Sequence, residues 1–311
     1  MTISLGYQIP NFSYPGGVET LFDTVLAQAR EAEASGFDTV LVMDHFYQLP
    51  GIGTPDQPMM EAYSTLAALA ASTTTVQLST LVTGNTYRNP SLLAKTVSTL
   101  DVISHGRAVL GLGAGWFELE HEQLGFDFDT FTERFEKLEE ALQIIHPMLR
   151  DERPEFTGKW YRVRGAMNVP RYRQSIPIML GGQGERKTFR LAARFADHMN
   201  IIAPLPDLAR KVEVLHQRCE EIDRDPATLK TSYLTSVGVV ETQAEADALL
   251  ATVPEERRAG LLVGPVDVIA DRIANEILST GLDGIIVNAP RNGHVPGVVT
   301  AIGEALAPLV A

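Results

Sequence analysis

Short runs of β-branched and other apolar residues alternate along this chain with longer stretches in which apolar positions recur every three or four residues. A short continuous apolar run suits a strand buried on both faces, and the longer pattern suits an amphipathic helix laid against it. Residues 3–9 read as a first strand. Val18, Leu21, Phe22, Val25, Leu26, Ala29 and Ala32 then keep one helix face, and Gly36 stops it. Residues 39–43 predict a second strand, a helix around 61–72 follows a loop rich in proline and glycine, and 76–82 predict a third strand. Pro90 and Ser91 open a helix that ends near 104–106, before a fourth strand at 107–112. A connecting segment at 116–130 leads to a charged amphipathic helix over 132–149. Residues 150–175, with their Pro, Gly and aromatic content, break the rhythm and predict an inserted hairpin or lid. The alternation resumes with a fifth strand at 176–180, a helix from Glu185, a sixth strand at 198–203, a helix at 207–223 and a seventh strand at 231–240. Two helical patterns, near 243–252 and 265–279, precede a last strand at 284–288 and a closing helix from 296.

This alternation predicts an α/β fold: a single (β/α)8 TIM barrel over residues 1–311, carrying the inserted segment. An open dinucleotide-binding sheet fits less well, because no Gly-x-Gly-x-x-Gly follows the first strand. In a barrel of this kind the chemistry sits where strands run out into their C-terminal loops. That rule selects Asp44, His45, Thr83, Gly84, Gly113, Gly182, Gly184, Asn288 and Arg291.

Charge narrows the partners. A formal net charge of -13 and a pI near 5.0 exclude general binding to nucleic acid or anionic membranes, which needs clustered cations. No apolar run approaches a membrane span, and the first residues lack the basic flank and apolar stretch of a secretory signal, so a cytoplasmic protein acting on a small molecule is expected. The one cysteine, Cys219, excludes an intrachain disulfide and a cysteine-based metal knuckle. It falls in the stripe Leu208, Val212, Leu215, Cys219 and Ile222 and is expected to be inert core.

Four constellations carry candidate chemistry. Gly181-Gly-Gln-Gly184 joins the fifth strand to a helix, so its backbone N–H groups form a phosphate cradle or simply a tight connection. Asp44-His45 closes the second strand, and the histidine can polarise a carbonyl or move a proton, with a carboxylate to fix its tautomer. Gly111-Leu-Gly-Ala-Gly115 reads as a strand end stripped of side chains so that something flat can lie on it, with Trp116 and Phe117 as a pocket wall or as loop packing. Glu118-x-x-His121 is only half of a di-iron carboxylate motif, and no metal site is expected. The run 132–140 reads as a solvated helix face, with Glu133 paired to Lys137. No Gly-x-Ser-x-Gly elbow, His-Glu-x-x-His or Walker loop occurs.

Taken in order, Val42-Met-Asp-His-Phe46, Leu78-Ser-Thr-Leu-Val-Thr-Gly84 with Thr86-Tyr-Arg-Asn-Pro90, Gly111-Leu-Gly-Ala-Gly-Trp-Phe-Glu118, Arg134-Phe-Glu-Lys-Leu-Glu-Glu-Ala141 and Ile178-Met-Leu-Gly-Gly-Gln-Gly184 resemble the luciferase-like monooxygenase superfamily, in particular its coenzyme F420-dependent branch. That resemblance implies a homodimer of parallel barrels, an insertion after the fifth-strand region that helps cover the pocket, and a deazaflavin ring over the barrel mouth. It also implies a cis peptide between Leu81 and Val82 behind the ring, and contacts to the coenzyme from His45, Leu81, Val82, Thr83, Gly84, Gly113, Trp116, Leu180 and the turn Gly181, Gly182, Gln183 and Gly184. His45, oriented by Asp44, is the expected catalytic group. Sugar-phosphate dehydrogenases of this branch carry a glutamate where this chain has Trp116, so neither that substrate nor its proton transfer is carried over. The implied activity is hydride transfer between deazaflavin C5 and a small organic substrate. The alternatives are an FMN-dependent monooxygenase and a non-catalytic F420 carrier.

Overall fold

Runs such as Thr39–Val42 and Gly284–Asn288 are rich in β-branched residues and too short for a helix, so they extend and pair in parallel. The computed structural model describes residues 4–310 except 259, and omits the side chains of 256 and 257, so the expected strand start at Ile3 lies outside the described residues. In chain order the elements that matter for the site are β1 (Ser4–Ile9), α1 (Leu21–Ala34), β2 (Thr39–Val42), α2 (Ala62–Ala70), β3 (Gln77–Thr80), β4 (Thr83–Gly84), α3 (Pro90–Ile103), β5 (Leu110–Gly113), α4 (Glu118–Leu124) and α5 (Phe131–Met148). There follow β6 (Glu155–Thr157), β7 (Arg162–Arg164), β8 (Ile178–Gly182), α6 (Thr188–Phe195), β9 (His198–Ile201), α7 (Leu208–Glu220), β10 (Lys230–Val239), β11 (Leu261–Gly264) and β12 (Gly284–Asn288).

The main sheet runs β3-β2-β1-β12-β10-β9-β8-β5-β4, all in parallel. It closes on itself because Leu78 of β3 donates to the Arg107 carbonyl and accepts from Val109, beside β5. β3 and β4 are two halves of one barrel strand, interrupted at Leu81 and Val82. Counted so, the architecture is a (β/α)8 barrel.

Three details depart from the sequence reading. A further strand, β11, pairs with the end of β10 and stays off the barrel path; Leu-Leu-Val is too short for periodicity to separate it from its helical flanks. The helical pattern at 265–279 is split into α-helical turns to Arg272, a π turn at Ile273–Ile277 and a 3-10 turn at Leu278–Thr280. The antiparallel β6–β7 hairpin falls within 150–175, ahead of the fifth barrel strand, β8, as the sequence pattern has it, and only the resemblance put an insertion after the fifth-strand region. It is fastened to α5 through Glu140, whose carboxylate accepts from the backbone N–H groups of Lys159, Trp160 and Tyr161 at 2.7, 2.9 and 3.0 Å. On α5 itself, Glu133 is taken by the capping box with Thr130, and Lys137 pairs with Asp129 at 2.5 Å instead of with Glu133.

Burial falls into two layers. Leu41, Val109, Met179 and Ile286 fill the barrel interior, with Leu81, Val82 and Leu234 packed on them. Outward-facing residues of the same strands, among them Val40, Val42, Leu112 and Leu180, pack against the helices in a larger core that also takes Cys219 from α7. Each such aliphatic side chain stabilises the fold by about 1.5–3 kcal/mol. Among the described residues no helix is long and apolar enough to cross a membrane.

Candidate active site

At the C-terminal mouth of the barrel a cis peptide joins Leu81 and Val82, at the position the resemblance gives it. Its support is polar. Gln8 of β1 donates to the Leu81 carbonyl at 3.3 Å, and Asn288 of β12 donates to the Gln8 side-chain oxygen at 2.7 Å, so two neighbouring strands hold the interruption in the third. The Val82 side chain then lies between two glycines. A methyl group added at Gly113 would stand 2.9 Å from Val82 Cγ2, and one at Gly181 would stand 2.9 Å from Val82 Cγ1. The bareness of Gly113 is therefore filled by a valine of the protein, which corrects the expectation that it was cleared for a flat ligand. At Gly111 the room is taken by the Thr80 carbonyl. Ile202, one residue past the end of β9, is left 53% exposed.

His45 leaves the end of β2 with 11% of its side chain exposed. Its Nδ1 lies 2.9 Å from Oε2 of Glu120, on α4, a residue that is fully buried. The same carboxylate accepts from the Tyr87 hydroxyl at 2.6 Å and from the Phe46 and Tyr47 amides at 2.5 and 2.9 Å. Burial by itself raises this carboxyl, but the hydrogen bonds from His45, Tyr87 and the backbone outweigh it and leave it lowered from its ordinary value. Tyr87 is pushed up, by burial first and then by Glu120, and stays a neutral donor. Because an ionised carboxylate only accepts, the proton of His45 is placed on Nδ1, leaving Nε2 without a hydrogen-bond partner among the described residues.

The expected partner of His45 is otherwise occupied. Asp44 is clamped by Arg88 through both oxygens, at 2.5 and 3.1 Å, and Arg88 also reaches Glu61 at 2.7 Å. A buried carboxylate needs such a fork to remain charged, so Asp44 holds the loop and Glu120 orients the histidine. Burial raises the Asp44 carboxyl above its usual range, against the pull of Arg88.

The remaining expected contacts divide. Trp116 is 59% exposed, stacks on Phe117 with centroids 5.2 Å apart, and meets the His45 ring edge-on at 5.7 Å. The Thr83 hydroxyl is spent on Tyr63 at 2.8 Å and Thr80 at 2.9 Å, so only its backbone is left for a ligand. Gly84 is buried against Tyr87, and Leu180 points into the core between sheet and helices, away from the mouth. The turn of Gly181, Gly182, Gln183 and Gly184 sits at the end of β8, but the helix behind it begins at Thr188 rather than Glu185. His121 bonds the Phe117 carbonyl and the Thr86 hydroxyl with its two nitrogens, and no group of three or more His, Cys, Asp or Glu side chains among the described residues is placed to hold a metal.

Residues 3–282 match the family model described as luciferase-like monooxygenase. The chain belongs to that family. Among curated relatives of this luciferase-like protein, an F420-dependent glucose-6-phosphate dehydrogenase from Nakamurella multipartita is 31% identical over 93% of this chain and 86% of its own length. Another protein of that name, from Microbacterium testaceum, is 35% identical, but there the match spans 63% of this chain and only 56% of the relative. A solved F420-dependent secondary alcohol dehydrogenase, in complex with an F420-acetone adduct, superposes with a TM-score of 0.82 at 19% identity, covering 100% of both chains, a likeness of fold. The sequence of this luciferase-like protein left Glu120 without a role and gave none to Tyr87, although the fold brings both to His45. The available signal was a carboxylate on the buried stripe of α4, beside His121 and one helical turn from Phe117.

Proposed function

We propose that this protein is a coenzyme F420-dependent oxidoreductase, one barrel domain acting as a homodimer on a small, mostly apolar organic substrate. The observation that carries the reading is the mouth itself: apolar side chains at Val82 and Ile202, an exposed Trp116, and a histidine whose second nitrogen has no partner among the described residues. The naming of the curated relatives supports the same coenzyme. An inward-facing isoleucine left half open at a barrel mouth fits a planar ring, which would remove it from water. When bound, the deazaflavin supplies hydride chemistry at C5.

The chain's own contributions follow from the geometry. Val82 gives the ring a rigid back, wedged as it is between β5 and β8. Backbone N–H groups of the 181–184 turn are the donors available for a phosphate. His45, held by Glu120, presents Nε2 to the oxygen of a carbonyl or hydroxyl and holds or accepts a proton there as that oxygen changes charge. Trp116 and Phe117 exclude water and offer an apolar wall where a carboxylate would favour a polar sugar.

Fluorescence titration tests the coenzyme, with micromolar binding of F420 expected. Binding of FMN with none of F420 reverses the assignment to an FMN-dependent monooxygenase, and tight F420 binding without turnover across a broad panel of alcohols, aldehydes and conjugated carbonyls leaves a carrier. His45→Ala is expected to slow hydride transfer by about 10²–10⁴-fold with the fold retained. Gel filtration at the mass of a single chain removes the homodimer without touching the chemistry.

A further inference from the structure

On the outer wall of the barrel, α5, α6 and α7 enclose a cleft of about 470 Å³. Its carboxylates are spoken for: Glu139 pairs with Arg194, Glu221 with Arg218, and Glu136 with Lys159 and the Trp160 indole. Arg186, Lys187 and Arg190, which also line the cleft, have no carboxylate partner among the described residues. Lys187 instead sits over the rings of Phe131 and Phe135, 5.3 Å from each centroid. Glu185, next in the chain, does not neutralise them, since Arg210 and Lys211 of α7 hold it at 2.9 and 2.7 Å. A chain with a net charge of -13 thus keeps a cluster of unspent cations in one concave place, directly after the glycine turn.

We propose that this cleft binds an extended oligoanion, a flexible chain carrying several carboxylates or phosphates, which descends along α6 from the glycine turn. Arg186 lies in the turn that leads into α6 and Arg190 in the first turn of that helix, so they meet successive charges of such a chain and not one compact anion. Two sources have this chemistry: the oligocarboxylate side chain of the deazaflavin coenzyme, in which case the assignment rests on the function proposed above, and a free oligoanion. Of the two, the coenzyme fits the position, because the cleft begins where the turn offered to its phosphate ends. Exposed ion pairs are individually weak, so together these cations raise affinity by about tenfold, an effect that fades with salt.

The test is equilibrium binding, read by coenzyme fluorescence, of F420 bearing a long γ-linked glutamate chain and of the same coenzyme with that chain trimmed off, to the wild type and to Arg186→Gln/Arg190→Gln. Wild type is expected to bind the long form about tenfold more tightly, and the double variant to close most of that gap. Equal binding of both forms to wild type overturns the assignment. If neither form binds, the coenzyme reading itself fails, and the cleft is judged by calorimetry with free γ-linked pentaglutamate: binding to wild type that the variant loses supports an oligoanion site, and no binding rejects it.

Discussion

The side chains of Glu120 and His45 meet at 2.9 Å although 75 residues separate them, and the contact fixes which nitrogen of the histidine faces the barrel mouth. Glu120→Gln tests that control. Glutamine keeps the shape, but its NH₂ must face either the Phe46 and Tyr47 amides or the His45 and Tyr87 donors, so donors oppose donors on one side. Hydride transfer in stopped-flow is expected to slow by about 10–100-fold, with coenzyme affinity changed far less. An unaltered rate means that the histidine finds its orientation without this carboxylate.

The same carboxylate ties stability to pH. Glu120 is lowered below its ordinary 4.5 in the folded chain, so as pH falls the unfolded chain takes up the proton first. Its contribution is complete above about pH 4.5 and is lost as pH drops through the lower folded value. Urea unfolding of wild type and Glu120→Gln should therefore show the widest stability gap at pH 7 and a narrowing one as pH falls below 4.5. A gap that is constant with pH indicates a neutral Glu120.

These two residues also mark where the sequence stopped being readable. The barrel was visible because strand and helix periods alternate, and because strand ends are the place to look, His45 and the 181–184 turn could be singled out from position, whereas the Leu81–Val82 cis bond came from the family resemblance alone. Periodicity carries no information on which loops meet. Asp44 was adjacent to His45 and so was the natural partner, yet the fold sends it to Arg88 and brings in Glu120 from α4. Gly113 misled for a related reason: a glycine reports that a side chain is absent, not that Val82 occupies the room. Leu180 was assigned to the site from its motif, although alternation along β8 turns it outward when Met179 faces in.

The Val82 wedge predicts a coupled pair. A methyl group at Gly181 meets both Val82 methyl carbons, at 2.9 and 3.2 Å, inside a closed barrel with little freedom to yield. Gly181→Ala alone is expected to destabilise by about 1–3 kcal/mol through overpacking. In a Val82→Ala background the added methyl enters the space just vacated, so the same change should cost much less. Additive effects in urea unfolding of the four proteins show that the two sites do not share that space.

Trp116 offers a direct report on the mouth. The chain has 2 tryptophans, and Trp160 is engaged elsewhere, its indole donating to Glu136 at 3.3 Å with Lys137 and Lys159 over its ring. Trp160→Phe, on the exposed hairpin, leaves Trp116 as the only indole emitter. That side chain is 59% exposed and stands edge-on to His45, so a planar ring settling on Ile202 and Val82 would desolvate it and take up its excitation. Adding F420 should quench the emission and shift what remains to the blue, with a midpoint equal to that of the coenzyme's own fluorescence change. Trp116→Ala should keep coenzyme binding within about threefold while raising KM for apolar substrates, since the wall it forms stands beside the histidine rather than under the ring. Emission that stays constant while the coenzyme binds places the ring away from His45, and the catalytic role of that histidine falls with it.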